Sequence, residues 1–264
     1  MISVSIRKYP YYLASILSLL TGIEAPLMVV RVFLGLSAPP NPVIRLRKSG
    51  LRFQVRGAMD IWSIKEALLD QFYRKFGTEI GDGWSIVDIG AGIGEFTIYA
   101  AHGHANNTVY AFEPFPESFA ILQNNLSRNH LTGVQVFNEA IGAETGTLIL
   151  SLSNDEPLQF STAASAASSI SVPALSLRDA FQRLGLQRCH LLKLDCEGAE
   201  YSILFNAPDS VLESIDHIVM EYHDGITQYN HGDLAKFLIS KGFQVNVQGN
   251  YVHADLGYLH AYRG

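Results

Sequence analysis

Asp88, Gly90, Gly92 and Gly94 stand at alternate positions in the stretch SIVDIGAGIGE, residues 85–95. Glycines at this spacing clear one turn of side chains and let a ligand approach bare backbone. An apolar run (Ile86, Val87, Ile89) precedes them, and helix-compatible residues 96–101 follow. Strand, glycine turn and helix together hold a ligand at the carboxyl end of a strand in α/β proteins. The spacing separates two ligand classes. A dinucleotide turn reads G-x-G-x-x-G. Here Glu95 occupies the place of the third glycine, and Gly94 arrives one residue early. A carboxylate at Asp88 is unwelcome beside a pyrophosphate. It suits a ligand with a cationic amino-acid end, such as S-adenosylmethionine. A second acidic mark, Glu113, ends a run at 108–112 that reads as a strand. A carboxylate there can accept both hydroxyls of a ribose. On this reading Asp88, Gly90, Ala91, Gly92 and Gly94 hold the methionine end. Glu113 and Pro114 hold the ribose, and the turn at 138–140, with Glu139 and Ala140, meets the adenine edge.

Acidic residues gather again after two later apolar runs. Residues 191–194 lead into Asp195, Cys196 and Glu197, and residues 217–220 lead into Glu221, Tyr222, His223 and Asp224. If these strands are neighbours, their ends converge on one rim. Methyl transfer from a sulfonium needs alignment, exclusion of water and, for an oxygen acceptor, a base. Three readings of the rim compete. In one, Asp195 or His223 is the base, Asp195 also touches the cofactor, and Glu197 orients the acceptor. In another, two or three of Asp195, Glu197 and Glu221 hold Mg²⁺, which prefers hard oxygen ligands. In the third, Glu197 and Glu200 only cap the next helix, where negative charge is favourable, and His223 is a loop residue. Lys193 shares a strand face with Asp195, joins the candidate catalytic group, and is expected to pair with Glu221. Tyr11, Tyr12, Phe72, Tyr73 and Tyr99 are candidates for an acceptor pocket.

Several of these stretches together resemble the FkbM-type S-adenosylmethionine-dependent methyltransferases. They are VDIGAGIGEFTIYAA (87–101), VYAFEPFPESFAILQNNLSRN (109–129), NEAIG (138–142), LLKLDCEGAEYSIL (191–204) and IVMEYH (218–223). They run in family order over residues 43–249, and the K-x-D-x-E-G-A-E block is the distinctive piece. The resemblance implies a class I methyltransferase fold and O-methylation in small-molecule or sugar pathways. Glu66 and Tyr73 resemble family positions near the cofactor; the bare residue pattern reads Glu66 as a solvated helix face.

The elements that must position these groups alternate. Strands are expected at 86–89, 109–112, 134–137, 191–194, 217–220, 243–247 and 257–261. Helices are expected near 96–101, 117–129, 177–184, 199–205 and 233–241. Alternation implies a mostly parallel, Rossmann-like sheet of seven strands with helices on both faces. The last two strands are too close in sequence for a parallel crossover, so they form an antiparallel edge hairpin. Three regions follow: an N-terminal helical extension (1–42), a hairpin and helix leading into the core (43–80), and the S-adenosylmethionine-binding domain (81–264). Residues 60–77 read as one helix, 146–151 as an extra strand, and the Ser/Ala-rich stretch 161–171 as a mobile loop or tolerant insertion.

Composition narrows the partners. The chain has 264 residues, 48% hydrophobic and 17% charged, enough for a sizeable core. A net charge of −6 argues against a nucleic-acid-binding face. Cys189 and Cys196 flank one expected buried strand, so they read as free thiols in a reducing cytoplasm. Arg7 and Lys8 precede an apolar run at 11–23, superficially like a secretory signal. That run is too short to span a bilayer, and cleavage after Ala25 would leave Pro26 first. Leu13, Ile16, Leu17 and Leu20 fall on one helix face. The helix is expected to pack on the domain or on a second copy of the chain, with a membrane surface as the alternative. The expected activity is O-methylation of a sugar or natural-product hydroxyl. Rivals are N-methylation of a small amine, a nicotinamide oxidoreductase and a non-catalytic scaffold.

Overall fold

The computed structural model describes residues 8–36, 41–152, 160–161, 168–250 and 252–264. Two helices come first, α1 (Lys8–Gly22) and α2 (Pro26–Phe33), then a small hairpin of β1 (Val43–Arg45) and β2 (Arg52–Gln54). A broken helix follows: α3 (Ala58–Ile64), a π-helical turn at Lys65–Leu69, and α4 (Phe72–Lys75). The core continues with β3 (Ser85–Ile89), α5 (Glu95–Ala101), β4 (Thr108–Phe112), α6 (Pro116–Arg128) and β5 (Val134–Phe137). Next come β6 (Ala140–Gly142), β7 (Gly146–Leu152), β8 (Phe160–Ser161), β9 (Ser168–Ser176) and α7 (Leu177–Leu184). The last part comprises β10 (Cys189–Leu194), α8 (Glu200–Phe205), α9 (Asp209–Glu213), β11 (Ile215–His223), α10 (His231–Ser240), β12 (Gln244–Gly249) and β13 (Leu256–Tyr262).

The main sheet has seven strands in the order β12-β13-β11-β10-β3-β4-β5. Its five central and leading strands are parallel, and β13 lies antiparallel between β11 and β12. This is the class I methyltransferase arrangement, including the expected edge hairpin. Apolar residues on both faces of β3 and β10 make it a two-sided core. Val87, Ile89, Leu192 and Leu194 pack with α7 to α10 through Phe181, Leu204, Leu212 and Leu238. Ile86 and Leu191 pack on the opposite side with Phe96 of α5. Ile98, Ile121 and Leu122 form a further cluster there with Ile61 and Leu19 from the leading helices.

Four local expectations change. The strand expected at 217–220 extends to His223, because β13 pairs with it along its whole length down to Leu256. Residues 168–171 belong to β9, where pairing with β7 over seven positions overrides the low-complexity composition; 162–167 of that stretch lie outside the described residues. Strand 146–151 is present as β7, within a four-stranded sheet ordered β6-β9-β7-β8. The helix expected over 60–77 is interrupted by the π turn and by Gln71 in a left-handed conformation, φ +55°. Finally, α1 buries the opposite face to the one expected. Ser15, Leu19 and Ile23 turn inward, while Leu13, Ile16, Leu17 and Leu20 are exposed.

Candidate active site

A cleft opens at the carboxyl ends of β3, β4 and β10, as expected for a ligand in an open α/β sheet. Gly90, Gly92, Glu95, Phe112, Glu113 and Pro114 line one side of it. Ala140, Ile141, Asp195, Cys196, Glu197 and Ala199 line other parts. The turn after β3 is built on glycine for a concrete reason. Gly90 has φ +74°, and a Cβ there would lie 1.9 Å from the Asp195 carbonyl oxygen. Only a residue without a side chain lets the ends of β3 and β10 approach so closely.

Glu113 is 4% exposed. Its carboxylate accepts hydrogen bonds from the Gly92 and Phe115 amides, both at 2.8 Å. Burial pushes its pKa up to about 7 against the pull of those two bonds. The glycine turn and the acidic strand end are therefore joined directly, and the carboxylate is held at the cleft wall in one orientation. Asn138 donates to the Glu113 and Pro114 carbonyls and pins the opposite lip. Glu139 turns away to Arg183 at 2.5 Å, which leaves Ala140 and Ile141 to form the wall beyond it.

Asp88 is placed differently from the expectation. It is fully buried behind the turn, where Thr97 Oγ1 donates to its Oδ2 at 2.5 Å and the Lys193 ammonium lies 3.0 Å from its Oδ1. Strand register explains this: Lys193 of β10 lies level with Asp88 of β3, and on its other side level with Val219. The expected Lys193–Glu221 pair therefore gives way to Lys193–Asp88. Lys193 also donates to the Gly90 carbonyl at 2.7 Å. Burial opposes its charge, but Asp88, Asp195 and Glu95 outweigh that and raise its pKa. Asp88, Lys193, Ala91 and Gly94 do not line the cleft; they shape the turn from beneath.

The group that does face the cleft near that turn is Glu95, visible in the sequence only as a departure from the dinucleotide spacing. Its Oε2 is buried and accepts no hydrogen bond among the described residues. Burial pushes its pKa up to about 8, partly offset by Lys193. A carboxylate one residue past a glycine turn, at the first position of a helix, is the signal that could have found it.

The rim at the ends of β10 and β11 converges as expected. His223 is 6% exposed, with Nε2 3.5 Å from Glu197 and Nδ1 3.3 Å from Glu200. Burial works against its charge, but Glu200, Glu197 and Asp195 push its pKa up to about 10. That direction favours the protonated imidazolium and works against His223 as the base. Glu200 accepts from the Cys196 and Gly198 amides and closes the turn before α8. Glu197 sits in that turn at φ +52°. Burial and the neighbouring Asp195 raise the pKa of Glu221 well above the usual carboxylate range. Asp195, Glu221 and His223 bring one ligand atom each within 4.8 Å of one another. This is the group able to hold a metal ion among the described residues, with His223 in place of the expected Glu197.

The π turn adds a further carboxylate. Glu66 is not a solvated helix residue: Tyr11 and Trp62 both donate to its Oε1, at 3.0 and 2.9 Å. Glu66, Glu221 and Asp195 all act on Tyr258, whose pKa is raised chiefly by burial. Tyr73 packs edge-on against Phe96, Phe72 against Phe76 and Tyr258, and Tyr99 near Phe96. Tyr12 is exposed. Both cysteines are free, and burial pushes the Cys189 thiol up to about 12.

Comparison with known proteins places the family and the fold. Residues 88–245 match the family model described as the methyltransferase FkbM domain. The chain is 30% identical to Methyltransferase 1 of Beauveria bassiana, over 70% of this chain and 81% of that protein. It is 27% identical to the 31-O-demethyl-FK506 methyltransferase FkbM of Streptomyces tacrolimicus, over 69% of this chain and 80% of that one. Among solved structures it shares its fold with a methyltransferase FkbM from Methylobacillus flagellatus, at a TM-score of 0.52 and 18% identity, covering 78% of this chain and 54% of the other. The chain belongs to the FkbM methyltransferase family.

Proposed function

We propose that this methyltransferase uses S-adenosylmethionine to methylate a hydroxyl of a sugar or small natural product. The observation that carries the cofactor reading is the cleft's complementary polarity. A carboxylate at Glu113 is pre-oriented for a ribose diol, and an unpartnered buried carboxylate oxygen at Glu95 suits an ammonium. Gly92 leaves the surface between them open; the nearest atoms to a Cβ there would be the Glu95 carboxylate oxygens, at 3.5 Å. When bound, S-adenosylmethionine supplies a sulfonium methyl to an in-line nucleophile. The chain's own residues do the rest. Asp195 takes the proton of the acceptor hydroxyl, and Glu197 orients the acceptor. The His223 imidazolium stabilises the carboxylates around it. Lys193 and Asp88 hold the ends of β3 and β10 in register. Such positioning is worth several kcal/mol, and the base a further factor of roughly 10²–10⁴.

A specific observation favours a second reading, methylation of an amine. Asp195 and Glu197 line the cleft, and Glu66 and Glu221 lie close enough behind them to act on one another, with Lys65 and His223 as the nearby cations. Carboxylates at the cleft wall, Asp195 and Glu197, attract an ammonium.

One experiment separates these readings. Calorimetric titration with S-adenosylhomocysteine is followed by a panel of matched alcohols and amines, with and without EDTA. Methylation of an alcohol that Asp195→Asn lowers at least a hundredfold, without response to EDTA, supports the first reading. Turnover of amines alone moves the function to N-methylation. EDTA sensitivity moves Asp195, Glu221 and His223 to a metal site. Absence of S-adenosylhomocysteine binding overturns the cofactor reading.

A further inference from the structure

The outward side of α1 and α2 carries mostly large apolar side chains, with Thr21, Glu24 and Arg31 the exposed polar ones between them. Leu13, Ile16 and Leu17 of α1 are 68, 53 and 62% exposed, and Leu27, at the start of α2, is 79% exposed. Phe33 and Leu34 extend the patch past the end of α2. A soluble surface rarely leaves so many large apolar side chains contiguous. The helix cannot roll over to hide them, because its inner face is pinned by a buried charge. Lys65, fully buried, donates to Ser15 at 2.7 Å and pairs with Asp70 at 2.8 Å. Ser18 bonds Asp70, and Tyr11 bonds Glu66.

Charge says what covers this face. Residues 1–56 contain eight basic residues and one acidic, Glu24, a net of +7. The other 208 residues contain 11 basic and 24 acidic, a net of −13. Exposed Arg47 and Lys48 stand in the β1–β2 turn, against the end of α1. The Arg47 amide donates to the Gly22 carbonyl at the end of α1, and its guanidinium reaches the Glu24 carbonyl. An apolar face rimmed by cations fits an anionic lipid surface. A second copy of the chain docked face to face would set two such rims against each other. The acidic body, repelled by the same surface, keeps the patch pointed toward it. No helix among the described residues is long and apolar enough to cross a membrane.

We propose that α1, α2 and the adjoining hairpin dock this enzyme on the surface of an anionic phospholipid bilayer. α1 then lies in the interface, and its inner face stays tied to the domain through the Tyr11–Glu66 and Lys65–Ser15 bonds.

The test is flotation of the full-length protein with vesicles of mixed phosphatidylcholine and phosphatidylglycerol, against vesicles of phosphatidylcholine alone. The protein floats with the anionic vesicles and less with neutral ones, and high salt weakens binding. Leu13→Glu combined with Leu17→Glu lowers partitioning at least about tenfold. Arg47→Glu combined with Lys48→Glu lowers it several-fold without touching an apolar residue. Thermal unfolding of both variants stays within a few degrees of wild type, since every altered side chain is exposed and only the exposed Arg47–Glu24 carbonyl bond is lost. No flotation with anionic vesicles overturns the proposal, as does flotation that neither variant alters. Light scattering that shows a dimer split by the leucine changes, without vesicle binding, assigns the face to a second copy and overturns it too.

Discussion

Replacing Lys193 by Met tests whether this lysine is structural. Met keeps the length of the side chain and removes its charge. The ammonium sits 3.0 Å from Asp88 Oδ1 and 2.7 Å from the Gly90 carbonyl, and both charged side chains are at most 1% exposed. At an effective dielectric of about 20, the charge pair alone is worth about 5 kcal/mol of attraction. Desolvation offsets part of that when the pair forms. Removing one partner returns no such refund, because Asp88 stays buried. Breaking a buried pair in this way costs about 3–5 kcal/mol. Thr97 still donates to Asp88, so the lower half of that range is expected. The stranded carboxylate can escape by taking up a proton, so the loss shrinks as pH falls, by at most about 1.4 kcal/mol per unit. Urea unfolding of Lys193→Met, Asp88→Asn and the double variant, at two pH values, measures these terms. The double variant is expected to recover part of the stability. A loss below about 1 kcal/mol with methyl transfer abolished would refute the argument and return Lys193 to the reacting groups.

The other expectations are quickly stated. Gly90→Ala forces a methyl against the Asp195 carbonyl at a left-handed φ; a loss above about 3 kcal/mol, or no folded protein, is expected from its denaturation curve. Glu113→Ala removes a pre-oriented acceptor and should weaken S-adenosylhomocysteine about tenfold to a hundredfold by calorimetry. Glu95, raised to about 8, binds more protons folded than unfolded between its ordinary value of 4.5 and 8. Its contribution to stability is therefore fully present below 4.5, declines as pH rises, and is gone above 8. Deprotonation that favours an ammonium also means that S-adenosylhomocysteine affinity rises from pH 6 to 8, at most about tenfold per unit, and that Glu95→Gln flattens the rise.

Local chemistry carried much of this fold. The two-sided apolar runs around Val87 and Leu192 read as buried strands, and the short connection between β12 and β13 required an antiparallel edge. The turn at Gly90 read as a ligand turn because a left-handed glycine is a backbone property. The acidic end of β4 at Glu113 followed from spacing alone. What sequence could not decide was the partner of each charge, because partnership depends on register between strands far apart in the chain. Lys193 and Asp88 are 105 positions apart in number and level in the sheet; nothing local distinguishes that from Lys193 beside Glu221. The same holds for Glu95, whose carboxylate matters only because the glycine turn aims it into the cleft. It holds again for α1, where a helical period found the apolar stripe but not which way it points. A stripe of Leu13, Ile16 and Leu17 is inward by default, since burial is the common fate of such a face. The buried Lys65, reaching Ser15 on the opposite side of the helix, turned it out. Residue type and spacing thus determined the elements, the glycine turn and the acidic strand ends. Tertiary packing alone decided which carboxylates face the cleft, because a buried charge goes wherever its counter-charge has been brought.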